Sequence, residues 1–184
     1  MVRAAIVCSV LLLTAPVAVA QDMPLTMFIL DGERWKPSKV HVQHHAHPIH
    51  APEIVPNATV SAVSPDGSTL YVGSSEGRYL WAFRRTAEGK TGLGDRYVRL
   101  WKPAAQKDQP VSALTFDSRG CIYAATPGGL QTFDPTGRLC GVIELPSKKS
   151  VQALIWTGTD LDVLAAQFEG GEFFTRKMNT RGIK

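Results

Sequence analysis

Cysteine is scarce in this chain, long apolar runs are scarcer, and charge of one sign is nowhere concentrated. Three cysteines occur in 184 residues, and Cys8 falls in a leader-like segment, so a scaffold held by several disulfides is excluded. The longest apolar run, residues 4–13, is about half of what a membrane-spanning helix needs. With Arg3 before it and Ala18-Val19-Ala20 after it, this run reads as a secretory signal peptide over residues 1–20. The expected location is therefore periplasmic or secreted, with no membrane association once the signal is removed. The formal charge of +4 is dispersed along the chain, which excludes the basic patch of a nucleic-acid binder.

Against these absences stands a threefold internal echo. "VSAVSPDGSTLYVG" begins at Val60, "VSALTFDSRGCIYAA" at Val111 and "VQALIWTGTDLDVLAA" at Val151, giving spacings of 51 and 40 residues. Repeats of this length, each holding several short strands, are the mark of propeller blades. The first blade is expected to hold strands near residues 61–63, 69–73, 79–84 and 97–100, with residues 87–94 as a polar loop. The second is expected at 111–116, 121–125, 129–133 and 139–145, and the third at 151–156, 161–166 and 172–178. Pro-Asp-Gly at 65–67 and Asp-Pro-Thr-Gly at 134–137 supply the turn chemistry between strands.

The two remaining cysteines, Cys121 and Cys140, fall in the second and fourth strands of one blade. Two strand spacings are about 9–10 Å and a disulfide needs Cα atoms within about 7 Å, so two free thiols are expected. The fold class is all-β: a partial β-propeller of about three four-stranded blades. The domain plan is a signal over 1–20, a leader and His/Pro-rich linker over 21–56, and the propeller portion over 57–184.

All five histidines lie in "HVQHHAHPIH", residues 41–50. Neutral imidazoles bind zinc, copper or nickel, and His44, His45 and His47 are the candidate ligands of a transition-metal tract. Pro48, Pro52 and Pro56 make the same segment read as an extended linker with incidental metal affinity.

The text "VSPDGSTLYVG…LWAFRRTAEGKTG", "IYAATPGGLQTFDPTGRLCGVIELP" and "FFTRKMNTRG", together with "QDMPLTMFILDGERWKP" at residues 21–37, resembles the SMP-30/gluconolactonase family, and its secreted bacterial members most of all. The resemblance implies a six-bladed propeller, of which this chain lacks the N-terminal blades. It implies hydrolysis of a sugar lactone, a carboxylic-ester hydrolase reaction. It also implies one divalent ion, usually calcium, near the central channel, where a hard cation held by oxygen ligands stabilises a developing oxyanion.

Members carry acidic or amide ligands on separate inner strands. Carried over by position, the asparagine five residues before the Ser64-Pro65-Asp66-Gly67 turn falls on Thr59, with Asn57 two residues earlier. The aspartate opening the next inner strand falls on Ser112, and Asp108 is four residues too early. No counterpart of the first-blade glutamate is found, Glu53 being the nearest acid. Ser112 is the candidate catalytic position in this frame, although no histidine is placed beside it as a base.

Thr59 and Ser112 are neutral, so the alternative is a non-catalytic partial propeller, with or without a metal, that binds a ligand or persists as a remnant. A homodimer joining two three-blade halves into a six-bladed ring is the expected partner arrangement.

Overall fold

The computed structural model describes residues 23–39, 52–105 and 107–183. The histidine tract and the leader before Met23 lie outside the described residues. Twelve strands are found among those described, with one short 3-10 turn, Leu25–Met27. They are β1 (Lys36–Ser38), β2 (Ala58–Val63), β3 (Thr69–Ser74), β4 (Tyr79–Arg85), β5 (Thr91–Arg99), β6 (Ala113–Phe116), β7 (Ile122–Thr126), β8 (Gly129–Phe133), β9 (Leu139–Ile143), β10 (Val151–Thr157), β11 (Val163–Phe168) and β12 (Phe173–Lys177).

They form three four-stranded antiparallel sheets, ordered β2-β3-β4-β5, β6-β7-β8-β9 and β1-β12-β11-β10. The innermost strands are β2, β6 and β10, and β6 packs against both of the others. The all-β, three-blade propeller reading is therefore what the chain adopts, as an open arc rather than a closed ring.

Period-two alternation explains the strands and their faces. In β4, Leu80 and Ala82 pack towards the second blade with Tyr71, Val98, Val111 and Phe133. Trp81 and Phe83 point the other way and meet Val55, Leu70 and Val72. The middle blade is covered on both faces, so every residue of β7 and β8 is buried. Between the second and third blades, Tyr123, Leu130, Leu154, Leu164 and Phe168 form the largest core. Trp156 sets its ring edge-on to Tyr123 at 5.3 Å, so these two aromatics are interblade packing, whereas Trp81 and Phe83 pack on the outer face of the first blade.

Two strands depart from the sequence expectation. The fourth strand of the first blade begins at Thr91, inside the stretch expected to be a loop. Its two glycines fit a bulged pairing with β4, whose register shifts between Phe83 and Arg85. A Cβ at Gly94 would sit 2.3 Å from the Phe83 ring, so glycine here permits a close strand contact and does not mark a loop.

The second departure is β1. Sequence reading found three strands in the third blade and placed residues 21–56 outside the blades. The structure pairs Lys36, Pro37 and Ser38 with Thr175, Phe174 and Phe173. Pro37 is tolerated because β1 is the outermost strand, where a missing N–H breaks no ladder.

The segment leading into β1 is fastened as well. Phe28 is fully buried between the second and third blades. Its carbonyl accepts from the Asn179 amide at 2.9 Å, and Ile29 bridges Met178. The Trp35 indole donates to the Glu144 carbonyl at 2.9 Å. No disulfide joins Cys121 to Cys140, with β8 between β7 and β9 as the strand order required.

Candidate functional site

Each inner strand opens at the same end of the arc, and Thr59 and Ser112, the positions the resemblance implies for a metal, fall on the openings of β2 and β6. Thr59 is the extra residue of a bulge: Ala58 pairs with Ser74 and Val60 with Gly73, leaving Thr59 without a partner in register. Its hydroxyl donates to the Val111 carbonyl at 2.6 Å. That bond brings the opening of β2 against the residue preceding Ser112, so Thr59 and Ser112 do come together. The Ser112 amide donates to the Ala125 carbonyl at 3.0 Å, and its hydroxyl leans on the same oxygen at 3.5 Å.

The third inner strand repeats the device. Val151 pairs with Phe168 and Ala153 with Gln167, so Gln152 is extruded and exposed. Sequence reasoning passed over Gln152; the signal for it was the third echo, "VQAL" beside "VSAV" and "VSAL".

Asn57 stands at the entry to β2 in the left-handed region, with φ 47°, a conformation asparagine tolerates better than most residues. Its side-chain amide donates to Glu76 at 2.5 Å. Its carbonyl accepts from the Ser75 amide at 3.0 Å. The neighbouring Asp108 is likewise engaged with a loop donor, accepting from the Gly77 amide at 2.8 Å. Asn57 and Glu76 thus build the β3–β4 corner.

This oxygen set does not fit calcium. A hard dication wants six to eight oxygens with carboxylates among them. The strand openings offer two hydroxyls and one exposed amide, all neutral. Among the described residues no three of His, Cys, Asp and Glu gather into a metal-holding group. Among the described residues no histidine stands beside Ser112, and its hydroxyl faces the Ala125 carbonyl. His44, His45 and His47 lie outside the described residues.

The aspartates at the opposite end are turn-builders. Asp66 accepts from the Ser64 hydroxyl at 2.6 Å, the Ser68 hydroxyl at 2.8 Å and the Ser68 amide at 3.1 Å. Those bonds, the Ser64 hydroxyl first, hold its carboxyl down at about 2. Asp134 serves the Thr136 and Arg138 amides at 2.9 and 3.0 Å.

Asp117 does more. It is fully buried and accepts from the Arg119 and Cys121 amides, both at 2.9 Å. It also accepts from the Tyr123 phenol at 3.2 Å and the Thr180 hydroxyl at 2.6 Å, with the Arg119 guanidinium 3.3 Å away. Thr180 follows β12, so this carboxylate ties the end of the third blade to the second. Burial, and then the nearby Asp117 charge, push the Cys121 thiol up to about 12. Arg85 donates to the Gly67 carbonyl at 3.1 Å.

Comparisons with known proteins agree with this architecture. The pattern of the SMP-30/Gluconolactonase/LRE-like region matches residues 34–165. Among solved structures, a gluconolactonase from Xanthomonas campestris is 20% identical with a TM-score of 0.54, the match covering 67% of this chain and 38% of that one. A luciferin-regenerating enzyme is 16% identical with a TM-score of 0.60, covering 70% and 48%. Regucalcin from Agrobacterium tumefaciens, described as a calcium-binding protein, is 18% identical with a TM-score of 0.57, covering 68% and 47%.

At such identities the likeness speaks for the fold, and the chain spans less than half the length of these relatives. No curated protein sequence matches. With the matched region covering most of the chain and three propeller blades in place, the chain belongs to the SMP-30/gluconolactonase/LRE-like family.

Proposed function

We propose that this chain keeps the scaffold of a lactone hydrolase without its calcium-dependent chemistry, and works as a binding module in the periplasm or outside the cell. The observation that carries this reading is the neutrality of Thr59, Ser112 and Gln152 at the inner-strand openings, with the Thr59 hydroxyl bonded to Val111. Metal-assisted opening of a sugar lactone needs a cation bound firmly enough to polarise the carbonyl and to lower the pKa of a water. Two hydroxyls and an amide supply no countercharge for it.

The test is hydrolysis of glucono-δ-lactone by the mature protein, with calcium chloride or with chelator. The expected result is no calcium-dependent rate above the spontaneous reaction and no calcium-dependent rise in Tm. A calcium-dependent rate that Ser112→Ala abolishes would overturn the reading.

A two-copy assembly is part of the proposal. Three blades per chain, matching 38–48% of the relatives' length, support two halves meeting as a six-bladed ring. The histidine tract supports a separate property, uptake of nickel, copper or zinc, because five imidazoles lie within ten residues. Alanine at His44, His45 and His47 together should abolish that uptake in a calorimetric titration with nickel; retained affinity would remove the idea.

A further inference from the structure

At the end of the arc opposite Thr59 and Ser112, a cleft of about 930 Å³ opens between the first and second blades. Its floor is aromatic. Tyr71 and Phe116 lie 5.2 Å apart, ring centroid to centroid, and are 8% and 4% exposed. Tyr97, half exposed, meets Tyr71 edge-on at 6.3 Å. Its rim is cationic. Arg84 follows Leu80 and Ala82 on the face of β4 that looks at the second blade, pairs across the sheet with Thr69, and lines the cleft together with Ser118.

Among the described residues the Arg84 guanidinium has no carboxylate or carbonyl partner. The other charges nearby are accounted for. Arg85 donates to Gly67, Arg119 sits against Asp117 and over the Phe28 ring at 5.5 Å, and Asp66 is held by its own turn serines.

We propose that this cleft is a binding site for a small organic carboxylate whose flat body lies on Tyr71 and Tyr97 and whose carboxylate meets Arg84. A guanidinium offers two parallel N–H donors matched to a carboxylate. An aromatic floor with a few convergent polar groups is how small-ligand sites are built, and the volume suits one. Hydroxyls of Thr69 and Ser118 at the rim give orientation. The site is independent of the strand openings and of the reading given for them.

Benzoate is the probe, with benzamide as its uncharged counterpart, each titrated into the mature protein and followed by NMR chemical shifts. Saturable benzoate binding is expected, with benzamide much weaker. Arg84→Gln should weaken benzoate by about tenfold or more, the loss of a charge-assisted hydrogen bond, while Arg84→Lys, which keeps the charge, retains part of the affinity. Arg84 is exposed, so the variants should keep the parent Tm. Absent saturation, equal binding of benzamide, or unchanged affinity in R84Q would each overturn the proposal.

Discussion

A carboxylate at the head of a blade turn does different work according to its depth, and Asp66 and Asp117 mark the extremes. Asp66 is at the surface, and its folded pKa of about 2 lies below the ordinary 3.8. A depressed pKa contributes stability that is present above 3.8 and is lost as pH falls towards 2. The Tm gap between the parent and Asp66→Asn should therefore shrink steadily between those two values in acid melts; a gap that does not change with pH would show that the turn bonds do not depend on ionisation.

Asp117 is buried and holds four donors from two blades. Asp117→Ala should lower stability by about 3 kcal/mol or more in urea unfolding, since it strands buried donors together with a half-buried guanidinium. The thiols divide in the same way. Cys121, raised to about 12 and buried, should resist iodoacetamide in the folded protein, whereas Cys140 reacts. Two equally fast thiols would mean that the second blade opens.

At the scale of elements, most strands were legible because each carries its own alternation and its own turn residues. "TLYVG", "YLWAFRR" and "GLQTF" appear within a residue or two of where they were expected. The bulge at Thr59 was half legible: counting five residues back from Ser64 found the position, but its extrusion from the ladder is set by pairing with Ser74 and Gly73. Gln152 was missed although it stands in the echo where Ser112 does, because its extrusion, like that of Thr59, is set by pairing with the next strand.

β1 could not be read at all. "KPS" has no alternation, contains a proline, and becomes a strand only because β12 presents an edge to it. The anchor of that segment is Phe28. Phe28→Ala should cost about 3–5 kcal/mol, as expected for a fully buried aromatic, and should leave the edge of β12 prone to pair with other chains. Chemical denaturation with a turbidity readout tests both; a loss under 1 kcal/mol would mean that the leader docks without consequence.

For the whole molecule, three blades in an arc leave the first and third without each other as neighbours. The two-copy ring proposed above predicts light scattering at twice the monomer mass, independent of calcium. A stable monomer at high concentration would discard the ring and leave the arc as the working form. The arc also separates two ends with different chemistry. One end holds neutral residues at the openings of β2, β6 and β10. The other holds arginines over an aromatic floor. Family resemblance drew attention to the first end, while nothing in the sequence pattern marked the second, because Tyr71, Arg84, Phe116 and Ser118 come from different strands and turns and meet only when the blades pack.

The pairing of β1 with β12 also sets an order in time. The residues from Phe28 to Ser38 are made before the first and second blades, and their partners, Phe173 to Asn179, after them. The third blade cannot be completed until β12 has been made, so β1 must wait, unpaired, while the first and second blades are synthesised.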